Sequence, residues 1–214
     1  MDPATVELRA AHDVLAEFYA ERLDGLLEQM PIERAVLGLF AELVLANGEG
    51  VRVGDIGCGT GRLAPHLRGL GLDPTGVDLS EEMVRVARRD QPGFDFAVAD
   101  LRALPYDDGS LAGVVCWYSL MYLSPEHRSA AFAELARVVS PGGILTTAFK
   151  AGDDAARRGG EQLGLGIGFD IWWHAPSTME ALLAEAGFVT VFSGGRPADP
   201  DEQQPQGYLV ARRT

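Results

Sequence analysis

A short β-branched strand, Val51-Arg52-Val53, runs directly into Gly54-Asp55-Ile56-Gly57-Cys58-Gly59-Thr60-Gly61. Leu63, Leu67 and Leu70 follow at helical spacing. A strand, a loop with glycines at alternate positions and a helix in direct succession leave few options, and the simplest is the opening unit of a layered α/β fold. Glycine suits such a loop because it tolerates positive φ and lets a ligand approach the backbone without meeting a Cβ. The helix that follows is expected to offer unpaired N–H groups to a polar or anionic ligand.

Spacing weighs two kinds of ligand against each other. A dinucleotide fingerprint, G-x-G-x-x-G, started at Gly57 and Gly59 would need a third glycine where the chain has Arg62. Started at Gly59 and Gly61 it falls on Ala64, a tolerated variant, so an NAD-dependent oxidoreductase stays open on this loop alone. Asp55 points the other way, because a carboxylate at the strand end repels a pyrophosphate and attracts the ammonium of an amino-acid-bearing cofactor. The run Asp55 to Gly61 closely resembles the first motif of the class I, Rossmann-like S-adenosylmethionine-dependent methyltransferases of the small-molecule type. That resemblance implies S-adenosylmethionine as cofactor, S-adenosylhomocysteine as its product, and Asp55, Gly57, Cys58, Gly59 and Gly61 as cofactor-binding positions.

Later segments extend the resemblance. Asp73 to Ser80 reads as a second short strand ending in an acid, with Ser80 capping a helix and Glu81 and Glu82 in its first turn. Asp78 follows Gly61 at close to the roughly 20 residues expected between a glycine loop and a ribose-binding acid; a plain strand-end turn is the alternative. The family likeness assigns Leu79 to the adenosine pocket. It also assigns Asp100, with Leu101, to the adenine amino group, and Trp117 to the cofactor site. Leu135 to Gly143 resembles the family's Arg-Val-Leu-x-Pro-Gly-Gly turn. In the leading helices, Tyr19 matches a family tyrosine that covers the cofactor, whereas His12 stands where a tyrosine is usual; Tyr19 packing one helix on the core is the other reading.

The rest of the chain is read by pattern. Helices are expected over about 5–27, interrupted at Gly25, and from Pro31 to about Leu45. Leu111 to Trp117 is a nearly continuous apolar run suited to a strand buried on both faces. A helix from Pro125 to Val138 is expected to be capped by Ser124, and a fifth strand to end near Lys150. The glycine-rich stretch 151–168 suggests mobility. Ser177 is expected to cap a further helix, and two late strands, Phe188 to Phe192 and Tyr208 to Arg212, follow without a helix between them. The late pair resembles the sixth and seventh strands of the methyltransferase sheet, and the resemblance implies the fold class: a three-layer α-β-α sandwich around a seven-stranded, mostly parallel sheet whose last strand is antiparallel, with N-terminal helices as a lid. A single domain spans 1–214: a helical cap (1–47), a cofactor-binding core (48–150), a flexible lid or insert (151–175) and a C-terminal helix and strand pair (176–214).

Composition limits partners and chemistry. The formal charge of −13 over 214 residues argues against following a nucleic-acid backbone. No apolar stretch approaches the roughly 20 residues of a membrane span, and a soluble, cytoplasmic protein is expected. The two cysteines, Cys58 and Cys116, indicate neither a disulfide framework nor a zinc site, and no metal is expected. Oligomeric state cannot be read from the chain.

Aromatic residues concentrate around Tyr118 to Leu123 and Phe169 to His174. Tyr118, Tyr122, Trp172, Trp173 and His174 are therefore candidate substrate-binding residues, with Tyr122 and His174 as candidate catalytic groups. His174 as a hydrogen-bonded core residue is the competing reading. Transfer of a sulfonium methyl needs mainly alignment and exclusion of water, so the expected function is methyl transfer to an O, N or C nucleophile of a small, apolar or aromatic molecule. A non-catalytic cofactor-binding subunit shares every motif.

Overall fold

The computed structural model describes residues 1–200 and 202–214. In chain order, helix α1 (Pro3–Leu23) and helix α2 (Pro31–Asn47) precede strand β1 (Arg52–Ile56), helix α3 (Ala64–Gly69) and strand β2 (Asp73–Asp78). Helix α4 (Glu81–Asp90), strands β3 (Asp95–Val98) and β4 (Leu111–Trp117), helix α5 (Pro125–Val138) and strand β5 (Val139–Lys150) follow. The chain closes with strands β6 (Ala156–Gly159) and β7 (Phe169–Trp172), helix α6 (Pro176–Glu185), and strands β8 (Phe188–Arg196) and β9 (Gln206–Arg213).

The main sheet has the order β3-β2-β1-β4-β5-β9-β8. Only β9 runs against the others, pairing antiparallel with both β5 and β8. The expected sandwich is thus the observed one. Leu37, Phe40 and Val44 of α2 pack with Leu67 of α3 on one face of the sheet. Phe132 and Leu135 of α5 and Met179 and Leu183 of α6 fill the other. Every residue of β4 is buried, as its unbroken apolar run requires. Strand order reverses between β1 and β4, and the loops leaving their carboxyl ends diverge to open a crevice there.

Four local expectations are corrected. The leading helices do not act together as a lid. Phe40 of α2 lies so close to β4 that a Cβ on Gly113 would come within 2.9 Å of its ring, which makes α2 part of the sandwich. α1 alone leans over the crevice, burying Leu15 and Ala16 with Met83 and Val86 of α4 and Phe169 of β7. The stretch 151–175 is not without regular structure, since β6 and β7 pair as an antiparallel ribbon with Arg157 opposite Ile171. Its glycines mislead because Gly159 serves close packing, where a Cβ would come within 2.6 Å of Ile171.

Ser124 stands at the N-cap position of α5, but neither predicted serine makes a side-chain capping bond. Ser124 Oγ turns to His127 Nδ1 at 2.9 Å instead of bonding the helix backbone. Helix α6 starts at Pro176, one residue before Ser177, and its N-terminus is served from a distance. Asp154 accepts hydrogen bonds from the Ala175 N–H (3.0 Å) and the Thr178 hydroxyl (2.7 Å). That tie joins the ribbon segment to the sandwich.

Candidate functional site

A cavity of about 620 Å³ occupies the crevice at the carboxyl ends of β1, β2 and β4, roofed by α1 and the ribbon. Of the predicted cofactor residues, Tyr19, Asp55, Gly57, Cys58, Gly59, Asp78, Leu79, Asp100, Leu101 and Trp117 line it. So do Tyr118, Tyr122, Trp172 and Trp173.

Two predicted residues do not. Gly61 is turned away, at φ +74°, against Phe96, which a Cβ would meet at 2.6 Å; it serves the fold of the loop. His174 is 1% exposed and lies behind the cavity wall. Its Nε2 is 3.3 Å from the Leu120 carbonyl and its ring stands edge-on to Phe149. Burial, reinforced by the nearby Arg128 charge, pushes its pKa down to about 4, so the imidazole is neutral near pH 7. The core reading of His174 replaces the catalytic one.

The glycine loop presents shape and few donors. The N–H groups of Gly57 and Cys58 both donate to the Val77 carbonyl (2.8 and 2.9 Å), and that of Gly61 donates to Cys58 (3.0 Å). The Gly59 N–H donates to Asp78 Oδ2 at 2.8 Å. A pyrophosphate would find these four amides of the turn already engaged. Gly57 is required sterically as well, since its Cβ would fall 2.3 Å from that of Ser119.

Charge enters at the two ends of the cavity. Asp55 is 1% exposed, and neither carboxylate oxygen has a hydrogen-bond partner among the described residues. Burial raises its pKa to about 7; Arg62 opposes the shift and Asp78 adds to it. Arg62 lines the same cavity, and its Nη1 is buried without a partner. Such buried, unsatisfied groups are costly, and an aminoacyl zwitterion answers both: its ammonium suits Asp55 and its carboxylate suits Arg62. The residues present therefore fit the methionine end of the implied cofactor.

At the far end, Asp78 Oδ1 accepts from the Ser80 N–H at 2.9 Å and Oδ2 from Gly59. Each oxygen keeps a lone pair for a vicinal diol. Burial raises the pKa of Asp78, and the nearby His12 works against that rise. Asp100 is more engaged than the sequence suggests. Burial acts to raise its pKa, but Arg102 outweighs it, bonding both oxygens (Nε to Oδ1 at 2.9 Å, Nη2 to Oδ2 at 2.6 Å). Arg102 also reaches Asp2 and Thr5 at the start of α1, tying the roof to this end of the cavity.

The wall beyond the loop is held by a buried polar network. Glu33 of α2 accepts hydrogen bonds from the hydroxyls of Tyr208 (2.7 Å) and Tyr118 (3.4 Å) and from Arg196 (3.4 Å). Tyr118 is held there at φ +60°, a conformation costly for a bulky residue and common at functional sites. Tyr122 stands edge-on to His12 (centroids 4.8 Å apart) and to Phe169 (5.7 Å).

The sequence reading did not select Arg62, Arg102, His12 or Lys150 as site residues. His12 had a usable signal: it lies seven residues before Tyr19, on the same face of α1. Arg62 had one too, as the first residue after the glycines.

A doubly wound sheet with an inserted antiparallel last strand, and a cavity fitted to a zwitterion beside its glycine loop, define a class I methyltransferase architecture. Residues 53–143 match the methyltransferase domain family. Over 99 residues the chain is 36% identical to the demethylmenaquinone methyltransferase of Renibacterium salmoninarum, covering 46% of this chain and 41% of that protein. Over 96 residues it is 38% identical to the malonyl-(acyl-carrier protein) O-methyltransferase of Erwinia pyrifoliae, covering 45% and 36%. The matches span less than half the length of these two curated relatives. In fold, the chain is similar to the magnesium protoporphyrin IX methyltransferase of Synechocystis PCC 6803, with a TM-score of 0.73 at 20% identity over 100% of this chain and 99% of that one. The chain is similar to the class I, Rossmann-like S-adenosylmethionine-dependent methyltransferases, in sequence over residues 53–143 and in fold over its whole length.

Proposed function

We infer that the protein transfers the methyl group of S-adenosylmethionine to an O, N or C nucleophile of a small, apolar or aromatic molecule. The observation that carries this reading is the pair Asp55 and Arg62, opposite charges buried in one cavity without hydrogen-bond partners for Asp55 or for Arg62 Nη1. When bound, the cofactor supplies an electrophilic methyl on a sulfonium, an excellent leaving group. The protein's part is to hold and align. Asp55 and Arg62 anchor the amino-acid end, Asp78 takes the ribose hydroxyls, and Leu79, Asp100 and Leu101 border the base.

Trp117, Tyr118, Tyr122, Trp172 and Trp173 bound the remaining space. Their rings exclude water and offer flat apolar surfaces to an acceptor. Tyr122 is poorly placed as a base, because burial raises its hydroxyl pKa well above the ordinary value and Tyr19 raises it further. Alignment is therefore the main catalytic device, and an acceptor that ionises readily suits it best. The formal charge of −13 favours a small molecule over nucleic acid. Among the described residues no helix is long and apolar enough to cross a membrane.

Calorimetric titration with S-adenosylmethionine and S-adenosylhomocysteine, followed by release of the latter across a panel of small acceptors, tests the reading. Absence of heat with either compound would overturn it. Binding without transfer to any acceptor would favour a cofactor-binding subunit. Asp78→Ala is expected to weaken binding of S-adenosylhomocysteine by roughly 1–3 kcal/mol through lost hydrogen bonds; unchanged affinity would remove Asp78 from the ribose site.

A further inference from the structure

Lys150 is the only lysine among the 214 residues, against 18 lysines and arginines together. It ends β5 and lines the cavity. Burial lowers its pKa while Glu202 holds it up. Glu202, whose carboxylate oxygens accept from Arg196 (Nη2 to Oε1 at 2.8 Å and Nη1 to Oε2 at 2.5 Å), makes no ion pair with Lys150. Among the described residues no hydrogen bond or ion pair satisfies the ammonium.

Directly across the register from Lys150 stands Gln206 of β9, so both side chains share one face of the sheet. Gln206 is 2% exposed and lines the same cavity. Its Nε2 donates to the Gln204 carbonyl at 3.1 Å, which fixes the amide's orientation, while Oε1 is buried without a partner. A half-buried cation and a buried, vacant acceptor therefore stand side by side, beyond Trp117 and close to Trp173. On the function proposed above the cofactor's carboxylate goes to Arg62, which leaves this pair for another ligand.

Resting on the methyltransferase reading above, we propose that Lys150 is a specificity-determining residue that binds a carboxylate of the methyl acceptor, with Gln206 Oε1 taking a neighbouring hydroxyl or N–H. The acceptor class is then an acid with a flat apolar body: the body lies among the tryptophans and the acid lies at the end of β5. The charged contact gives direction as well as affinity, because it fixes which end of the acceptor faces the methyl group.

The test measures binding of naphthoate and of its neutral amide, naphthamide, to the protein saturated with S-adenosylhomocysteine, in the wild type and in Lys150→Gln and Lys150→Arg. The wild type is expected to prefer the acid by roughly tenfold or more, as a charge-assisted hydrogen bond allows. Lys150→Gln is expected to lose that preference while S-adenosylhomocysteine still binds, and Lys150→Arg to keep most of it. Equal binding of acid and amide by the wild type, no binding of the acid, or a preference that survives in Lys150→Gln would overturn the proposal. A loss of S-adenosylhomocysteine affinity in Lys150→Gln would also overturn it, by giving the lysine to the cofactor's carboxylate. Failure of the wild type to bind S-adenosylhomocysteine at all would instead reject the function on which the proposal rests.

Discussion

Asp55→Asn is expected to make the free protein more stable at neutral and alkaline pH and to make it a poor binder of S-adenosylmethionine. The two effects share one cause. Asp55 is a buried carboxyl whose pKa is raised from 3.8 to about 7 by burial. In the unfolded chain it ionises near 3.8, so between that value and about 7 the folded state holds a proton that the unfolded state has released. Stability therefore falls as pH rises through this window, by at most about 4 kcal/mol, and the penalty is fully present above pH 7. Asparagine carries no charge, so the variant's melting temperature should lack this component of the pH dependence and exceed the wild type's above pH 7. Binding should move the other way. Losing the charge that meets the ammonium costs about 2–5 kcal/mol, at least roughly thirtyfold in Kd. Wild-type affinity should itself rise with pH up to about 7, because below it Asp55 must give up a proton to bind. Thermal melts across pH and calorimetric titrations of both proteins check this. A variant no more stable than wild type above pH 7 would contradict the account of the free site, and unaltered affinity would contradict the assignment to the ammonium.

Gly57→Ala and Gly59→Ala should differ sharply, although the two glycines are neighbours in one motif. At Gly57 the backbone has φ +77° and a Cβ would lie 2.3 Å from that of Ser119. Ser119 cannot retreat without breaking the bond from its hydroxyl to the Ile56 carbonyl at 2.7 Å. Conformational strain of about 1–2 kcal/mol and overpacking of about 1–3 kcal/mol combine there to about 2–5 kcal/mol. In a chain of this length that is a fall in melting temperature of roughly 4–20 °C. At Gly59, φ is +54° and no atom lies nearer to the added Cβ than Met83 Sδ at 4.0 Å. Only the conformational cost of about 1–2 kcal/mol remains there. Similar melting temperatures for the two variants would mean that the contact with Ser119 does not constrain the loop.

The succession of elements along the chain, the glycine loop and Asp78 are legible in the sequence because each is a local signal: apolar runs, a fixed spacing, an acid at a strand end. Partners brought together from far along the chain are not. Arg102 neutralises Asp100 from two residues away, but its use depends on Asp2 and Thr5 at the start of α1. Asp154 falls in the glycine-rich stretch, yet it serves the N-terminus of a helix 22 residues further on. His174 looks catalytic because a histidine among aromatics is ambiguous, and only its distance from the cavity decides. Lys150 looks like the end of a strand until Gln206 lies beside it, and that pairing exists only because the last strand inserts between β5 and β8.

The engaged amides of the glycine loop have a thermodynamic consequence. Because Val77, Cys58 and Asp78 already satisfy them, the turn is complete before any ligand arrives, and little backbone entropy is lost on binding. Association then draws on side-chain charges that are unsatisfied beforehand, so affinity should be governed by relief of electrostatic frustration at Asp55 and Arg62 more than by ordering of the chain.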